Sequence, residues 1–251
     1  MSTLRPHGYG ALWHRLVSQL GQLDTLVPGQ CALCHAWPAQ PLCAACLASL
    51  ATARRRCLTC ACALPDAVAQ CGACLTQPPP LDGCIAAVDY GWPWAGIVGR
   101  FKFRAQPGWA GTLAGLMRAA PGASDAIGQA DWVLPIPLSR QRLRQRGYNQ
   151  VLQLARHLGA GARLRADLLL RLQDTAAQSG LARAQRLRNL RGAFALEPLA
   201  AQAVAGRRVL LVDDVMTTGA TLHAAALVLR AAGAAHIAAL VLARTPARND
   251  S

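Results

Sequence analysis

Four Cys-x-x-Cys units packed between residues 31 and 74 constrain this chain more than any other feature. They are Cys31/Cys34, Cys43/Cys46, Cys57/Cys60 and Cys71/Cys74, and all 10 cysteines lie between Cys31 and Cys84. A Cys-x-x-Cys turn aims two thiolates at one tetrahedral cation, and two such turns complete a four-thiolate site. The two turn pairs therefore predict one or two structural zinc ions. The spacing admits sequential pairing (31, 34, 43, 46, then 57, 60, 71, 74) and a cross-braced arrangement. The segment is turn-rich and poor in large apolar side chains, so metal binding would supply its folding energy. A redox role fits less well, because a redox Cys-x-x-Cys opens a helix in a thioredoxin-like pattern. Disulfides rank below both in a chain read as cytoplasmic. Cys62 and Cys84 are left over. Cys62 could compete as a ligand but fits a small buried residue better, and Cys84 begins a predicted strand.

The pattern changes after the proline-rich stretch "TQPPPLDG" (76–83), a stiff linker. Strands are predicted over 84–90, 131–137, 208–214 and 236–244, and helices over 94–103, 111–120, 149–159 and 220–233. The run "VLLV" (209–212) is continuous in apolar residues, as a strand buried on both faces of a parallel sheet must be. Alternating strands and helices predict a doubly wound α/β domain. Ahead of the cysteines, Leu12, Leu16, Leu20 and Leu23 recur at helical spacing and end at Pro28-Gly29. The expected organisation is an amphipathic helix (1–28), a cysteine-rich module (29–76) and an α/β domain (77–251).

No run of 18 uninterrupted apolar residues exists and the N-terminus lacks a compact apolar leader, so no membrane span and a cytoplasmic location are expected. The net charge of +14 points to polyanions: nucleic acid, nucleotides or sugar phosphates. Arginine and alanine richness from coding bias explains the same balance, so the placement of the arginines matters more than their number.

With only 12 acidic residues, the chain still sets Asp213 and Asp214 side by side in "VLLVDDVMTTGATLHAA" (209–225). Ligands of open α/β sheets bind at the carboxyl ends of strands. The loop Thr217-Thr218-Gly219-Ala220-Thr221 leads into a helix, whose N-terminal N–H groups form an anion site. A phosphate in the loop and a sugar whose hydroxyls meet the two carboxylates satisfy both halves. A helix cap with solvated acids would explain one aspartate, not two together with the Thr/Gly string.

This segment closely resembles the signature of type I phosphoribosyltransferases: four apolar residues, two acids, two apolar residues, then a Thr/Gly loop. A cysteine module ahead of such a domain resembles the ComF family of competence-related, phosphoribosyltransferase-like proteins. Three further stretches carry that resemblance: "FKFR" (101–104), "PIPLSRQRLRQRGYNQ" (135–150) and "TAAQSGLARAQRLRNLRGAF" (175–194). Gln185 departs from the pattern where an acid is expected. The resemblance implies a Rossmann-like α/β domain with a parallel sheet behind a small double zinc ribbon. It further implies that Asp213 and Asp214 contact the ribose hydroxyls of phosphoribosyl pyrophosphate (PRPP), that residues 217–221 bind its 5-phosphate, and that Mg²⁺ accompanies it.

Two arginine clusters, each read as a basic loop, remain: Arg140, Arg142, Arg144 and Arg146, then Arg183, Arg186, Arg188 and Arg191. Arginine forks suit phosphate oxygens, so Arg140 and Arg146 are candidates for the pyrophosphate, with Lys102 a weaker one. The same clusters could grip a single-stranded nucleic acid backbone or form a solvated face. Three functions compete at this stage. They are a phosphoribosyltransferase of unassigned acceptor, a zinc-ribbon factor binding single-stranded DNA around a non-catalytic phosphoribosyl site, and an interaction module built on the zinc ribbon.

Overall fold

The computed structural model describes residues 29–37, 40–65, 68–104, 106–172 and 192–246. The helix expected over 11–27 and the second arginine cluster lie outside the described residues. The chain divides into two compact units, Met1–Leu50 and Ala51–Ser251. The boundary expected at 76/77 falls inside the larger unit, which also contains the second cysteine group. In the smaller unit a turn around Cys31 and Cys34 is followed by a short helix, α1 (Ala44–Leu50). Cys31 and Leu42 are buried there.

The larger unit opens with the second cysteine turn and helix α2 (Gly72–Thr76). Next come strand β1 (Gly83–Asp89), helices α3 (Trp94–Phe103), α4 (Trp109–Ala119) and α5 (Ala123–Gln129), and strand β2 (Trp132–Pro135). Helices α6 (Arg140–Arg146) and α7 (Gln150–Arg156) follow, then the short strands β3 (Leu169–Arg171) and β4 (Phe194–Leu196). Strand β5 (Arg208–Met216), helix α8 (Ala220–Ala231) and strand β6 (His236–Arg244) complete it. The main sheet is parallel throughout, in the order β1-β6-β5-β2, and β3 pairs with β4 antiparallel.

β5 lies inside this sheet and is buried from Val209 through Asp214, as its apolar run requires. Alternation sends Val209 and Leu211 to one face, where Ile237, Ala239 and Val241 of β6 meet Ala225, Ala226 and Leu229 of α8. Small side chains let α8 approach the strands closely, so the alanine-rich composition builds the core. The other face is covered by α4 against β1 and β6, and by α7 against β5 and β2. The connections leaving β2 and β5 thus run to opposite faces. Their carboxyl ends border the crevice where open α/β sheets bind ligands.

Leu211 is fully enclosed and Leu227 is 59 % exposed. Leu211→Ala is expected to cost about 2–5 kcal/mol in urea unfolding, and Leu227→Ala under about 0.5 kcal/mol. Equal losses would mean that the face between β5 and α8 is not the packed core.

Candidate functional site

β5 continues two residues past the end expected from the sequence, so Asp213 and Asp214 lie within the strand. Strand alternation turns their side chains to opposite faces, and they acquire different neighbours. Asp214 accepts from Lys102 Nζ of α3 at 2.9 Å and from Gln150 Nε2 of α7 at 2.8 Å. Burial resists its ionisation, but Lys102 and Gln150 overcome that and hold its pKa below the ordinary value. Asp213 Oδ1 accepts the backbone N–H of Asp214 at 2.9 Å. Burial, then the charge of Asp214, raises Asp213 to about 7, although Lys102 and Arg171 of β3 pull the other way. Near neutral pH Asp213 is therefore only partly ionised beside a charged Asp214, because two buried carboxylates this close cannot both ionise freely.

The loop after β5 is built around Gly219, which caps α8 at φ 82°. The positive φ there requires glycine, and a Cβ would also stand 2.6 Å from Met216 Cε and 2.7 Å from His223 Nε2, displacing those side-chain ends. Ala220 N donates to Thr218 Oγ1 at 3.4 Å and His223 N to Gly219 O at 2.8 Å. Among the described residues, no hydrogen bond draws on the backbone N–H of Thr217, Thr218 or Gly219. These amides open the 12-residue helix α8, where the helix dipole favours an anion. Thr217 is exposed, Thr218 and Thr221 are half-buried, and Ala220 is buried.

The first arginine cluster, read from the sequence as a loop, is helix α6, capped by Ser139 Oγ accepting from Arg142 N and by Gly147 at φ 76°. Helical phase places Arg142 with Arg146, both half-buried, and Arg140 with Arg144, both exposed. Arg146 feels burial first and the charge of Asp214 second, and its guanidinium lies 5.0 Å over the Phe103 ring. The structure thus brings Arg146 toward the aspartates. The described contacts do not tie Arg140 to them. Tyr148 packs on α3, with its hydroxyl bonded to Phe101 O and its ring 6.2 Å from that of Phe101. The sequence reading assigned no role to Gln150, Arg171 or Arg244. Only Gln150 lay within a stretch already singled out. Arg244, 7 % exposed, bonds the carbonyls of Met216 and Thr217 on the back of the loop.

The eight candidate ligands form two tetrads in sequential order, Cys31/Cys34/Cys43/Cys46 and Cys57/Cys60/Cys71/Cys74, each with sulfurs within 4.8 Å of one another. Tetrahedral zinc with Zn–S near 2.3 Å needs sulfur pairs about 3.8 Å apart. Cys34 and Cys43 are separated by 3.6 Å and Cys60 and Cys71 by 3.7 Å, so both groups could hold zinc. In each, a backbone N–H meets the first sulfur at 3.4 Å, from Cys43 to Cys31 and from Cys71 to Cys57. Backbone N–H donors hold the Cys31 thiol down at about 6. Against burial, similar donors bring Cys57 to about 6. Sharing with Cys34 and burial push Cys46 up to about 12. A tetrad therefore ionises fully only around a cation. Cys62 lies outside the second tetrad, with Arg244 Nη2 2.9 Å from its sulfur. Cys84 is core, its thiol 3.6 Å from Met216 Sδ. No helix among the described residues is long and apolar enough to cross a membrane.

Residues 153–251 match the model of the phosphoribosyl transferase domain. The chain is 31 % identical over 227 residues to DNA utilization protein YhgH of Escherichia coli strain K12, covering 87 % of this chain and 98 % of the relative. It is 33 % identical to the protein of the same name from Salmonella typhimurium, with the same coverage. It is 35 % identical over 179 residues to Competence protein F of Haemophilus influenzae, covering 69 % of this chain and 78 % of the relative.

Two outcomes are expected. Elemental analysis should find two zinc ions per chain, and one in Cys60→Ser; a metal-free purified protein would remove the zinc reading. The second concerns pH. Asp213 titrates at about 7 when folded against an ordinary 3.8, so between these values the folded chain keeps a proton that the unfolded chain releases. Its contribution is fully present below about pH 4 and is lost as pH rises to about 7. Asp213→Asn should therefore gain stability relative to the parent between pH 5 and pH 7.5 in urea titrations. A constant difference would show that Asp213 ionises normally.

Proposed function

The chain belongs to the ComF family of phosphoribosyltransferase-like proteins, and on that premise we propose that its crevice binds PRPP with Mg²⁺ and activates it for transfer of the ribosyl group. The observation that carries this reading is the loop 217–219. It offers three backbone N–H groups without partners among the described residues, at the mouth of a helix and beside two buried carboxylates. In this reading Thr217, Thr218, Gly219, Ala220 and Thr221 hold the 5-phosphate through amides and hydroxyls. Asp213 and Asp214 accept from the ribose hydroxyls. Both oxygens of Asp214 are already engaged by Lys102 and Gln150, yet a carboxylate has about four acceptor sites, so lone pairs remain.

An all-oxygen environment of carboxylates and phosphates suits Mg²⁺, which would supply charge neutralisation on the pyrophosphate. Arg146, with Arg142 beside it, would stabilise the departing pyrophosphate, and the carboxylates would favour positive charge developing on the sugar. Catalysis of this kind is positioning plus electrostatics. The relatives' names, DNA utilization and competence, support placing the activity in the handling of DNA by the cell.

A second reading rests on a different observation. Phe103 is 72 % exposed beneath Arg146, and Trp92 is 85 % exposed. Aromatic faces among arginines suit single-stranded nucleic acid, with bases stacked and the backbone held electrostatically.

Melting temperature should rise with PRPP and Mg²⁺, by the equivalent of about 2.7 kcal/mol at a hundredfold excess over Kd. Asp213→Asn should abolish the rise. An unmoved transition in the parent protein at millimolar PRPP would sink the first reading. For the second, fluorescence anisotropy with a single-stranded oligonucleotide should show affinity falling steeply with salt and weakened by Phe103→Ala. Salt-insensitive binding would count against it.

A further inference from the structure

Arg244 ends β6 opposite Met216 of β5. It is a buried cation, and no carboxylate among the described residues pairs with it. Such a charge persists only if its donors are matched by well-placed acceptors. Nε donates to Cys60 O at 2.8 Å, and Nη2 lies 2.9 Å from Cys62 Sγ. On its other branch, Nη1 donates to Met216 O at 3.1 Å, to Thr217 O and to Thr245 O at 2.7 Å. One planar fork therefore touches two distant pieces of chain: the knuckle of the second cysteine tetrad and the start of the loop after β5.

We propose that Arg244 is a positioning residue that couples metal occupancy of the second cysteine tetrad to the geometry of the phosphate loop. The inference rests on reading residues 217–221 as that loop. The physical link is the planarity of the trans peptide, in which N–H and C=O point in opposite directions. Met216 O and Thr217 O are both drawn toward the guanidinium, so the N–H groups of Thr217 and Thr218 are turned away from it. Those are two of the three amides that hold no partner among the described residues. Thr245 N also donates to Met216 O at 3.0 Å and fixes the same peptide from the neighbouring strand.

The other end of the link depends on the tetrad. The knuckle is closed by Cys57 N donating to Cys62 O at 2.8 Å and Ala61 N to Cys57 O at 2.8 Å. Only in that closed form do Cys60 O and Cys62 reach Arg244. Four thiolates around a divalent ion leave a net dianion, which also offsets the buried guanidinium. Without the ion nothing draws the four sulfurs together, the knuckle opens, and Arg244 loses two of its acceptors. The carbonyls of Met216 and Thr217 are then free to rotate.

The test uses the full chain carrying Cys34→Ser, so that zinc remains on the second tetrad alone. Three amides report the loop: Ala220 bonds Thr218 Oγ1, His223 bonds Gly219 O, and Thr245 bonds Met216 O. Their hydrogen exchange is followed by NMR while a chelator removes zinc, with the amides of α4 as the control. Zinc release should speed exchange at the three amides about tenfold and leave α4 unchanged, in line with the tenfold to hundredfold effects of groups that support metal ligands. Arg244→Met should show the fast exchange at full zinc content, with little further change on zinc removal, and Arg244→Lys should fall between. Calorimetric Kd for PRPP with Mg²⁺ should rise about tenfold in the same order.

Unchanged loop exchange after zinc release, or in zinc-loaded Arg244→Met, would overturn the proposal. If Arg244→Met does not fold, Arg244→Lys and the zinc release series decide it. If the unsubstituted protein binds no PRPP at all, the ribose-phosphate reading falls, and the exchange measurements still judge the coupling.

Discussion

Two adjacent carboxylates inside a parallel sheet are an electrostatic problem that the surrounding fold is arranged to solve. Charge at Asp213 and Asp214 cannot be left to water, since both are at most 9 % exposed. The answer comes from three directions. Lys102 reaches in from α3, Gln150 from α7, and Arg171 from β3 contributes its field. Alternation along β5 decides which group answers which aspartate. Asp214 meets the ammonium and amide on the face that α7 covers and stays charged. Asp213, raised by burial and by the charge of Asp214, holds its proton to about pH 7. The chemical asymmetry of the pair thus follows from the period of a strand.

The cysteine groups solve a different problem in the same way twice. Both knuckles place a non-glycine residue with positive φ directly after the second cysteine, His35 at 60° and Ala61 at 55°. Both close with that residue's N–H on the first cysteine's carbonyl, at 2.9 and 2.8 Å. Repetition of this costly backbone indicates a common demand, the gathering of four sulfurs, met by local geometry. The second copy has a further attachment. Cys57, Cys60, Cys62 and Cys74 belong to the same buried cluster as β5, β6 and α8. Arg56 adds a 2.7 Å ion pair to Asp89 at the end of β1.

Much of this was legible in the sequence, for reasons that can be stated residue by residue. The run Val209–Val212 needed only its apolarity to be read as an interior strand, and Gly219 only its place between threonines and a helical segment. Cysteine spacing predicted the tetrads, although not their pairing. What escaped was non-local or short. Gln150 and Asp214 are 64 positions apart, and Arg244 and Cys60 184, so nothing local announces either bond. β3 and β4 have three residues each, too few for a period. The acids at 213 and 214 looked like a strand end, but the ladder continues because Val215 and Met216 pair with Ala243 and Arg244. α6 lacks an apolar stripe and so read as a loop. Its signals were Ser139 before it and Gly147 after it, a cap and a stop around residues of good helix propensity.

That helix changes how the two functional readings relate. Arginines in a mobile loop would have to choose between a small phosphate and a nucleic acid backbone. On a helix the 3.6-residue period divides them. Arg142 and Arg146 face one way and are half-buried, and the carboxylate of Asp214 acts on Arg146. Arg140 and Arg144 face away and are exposed. Phe103 has its ring under Arg146 and most of its surface open to solvent. A sugar pyrophosphate in the crevice and a polynucleotide outside it would therefore use different arginines on one short helix. Occupancy of the first site would be felt at the second through Arg146 and the ring it covers.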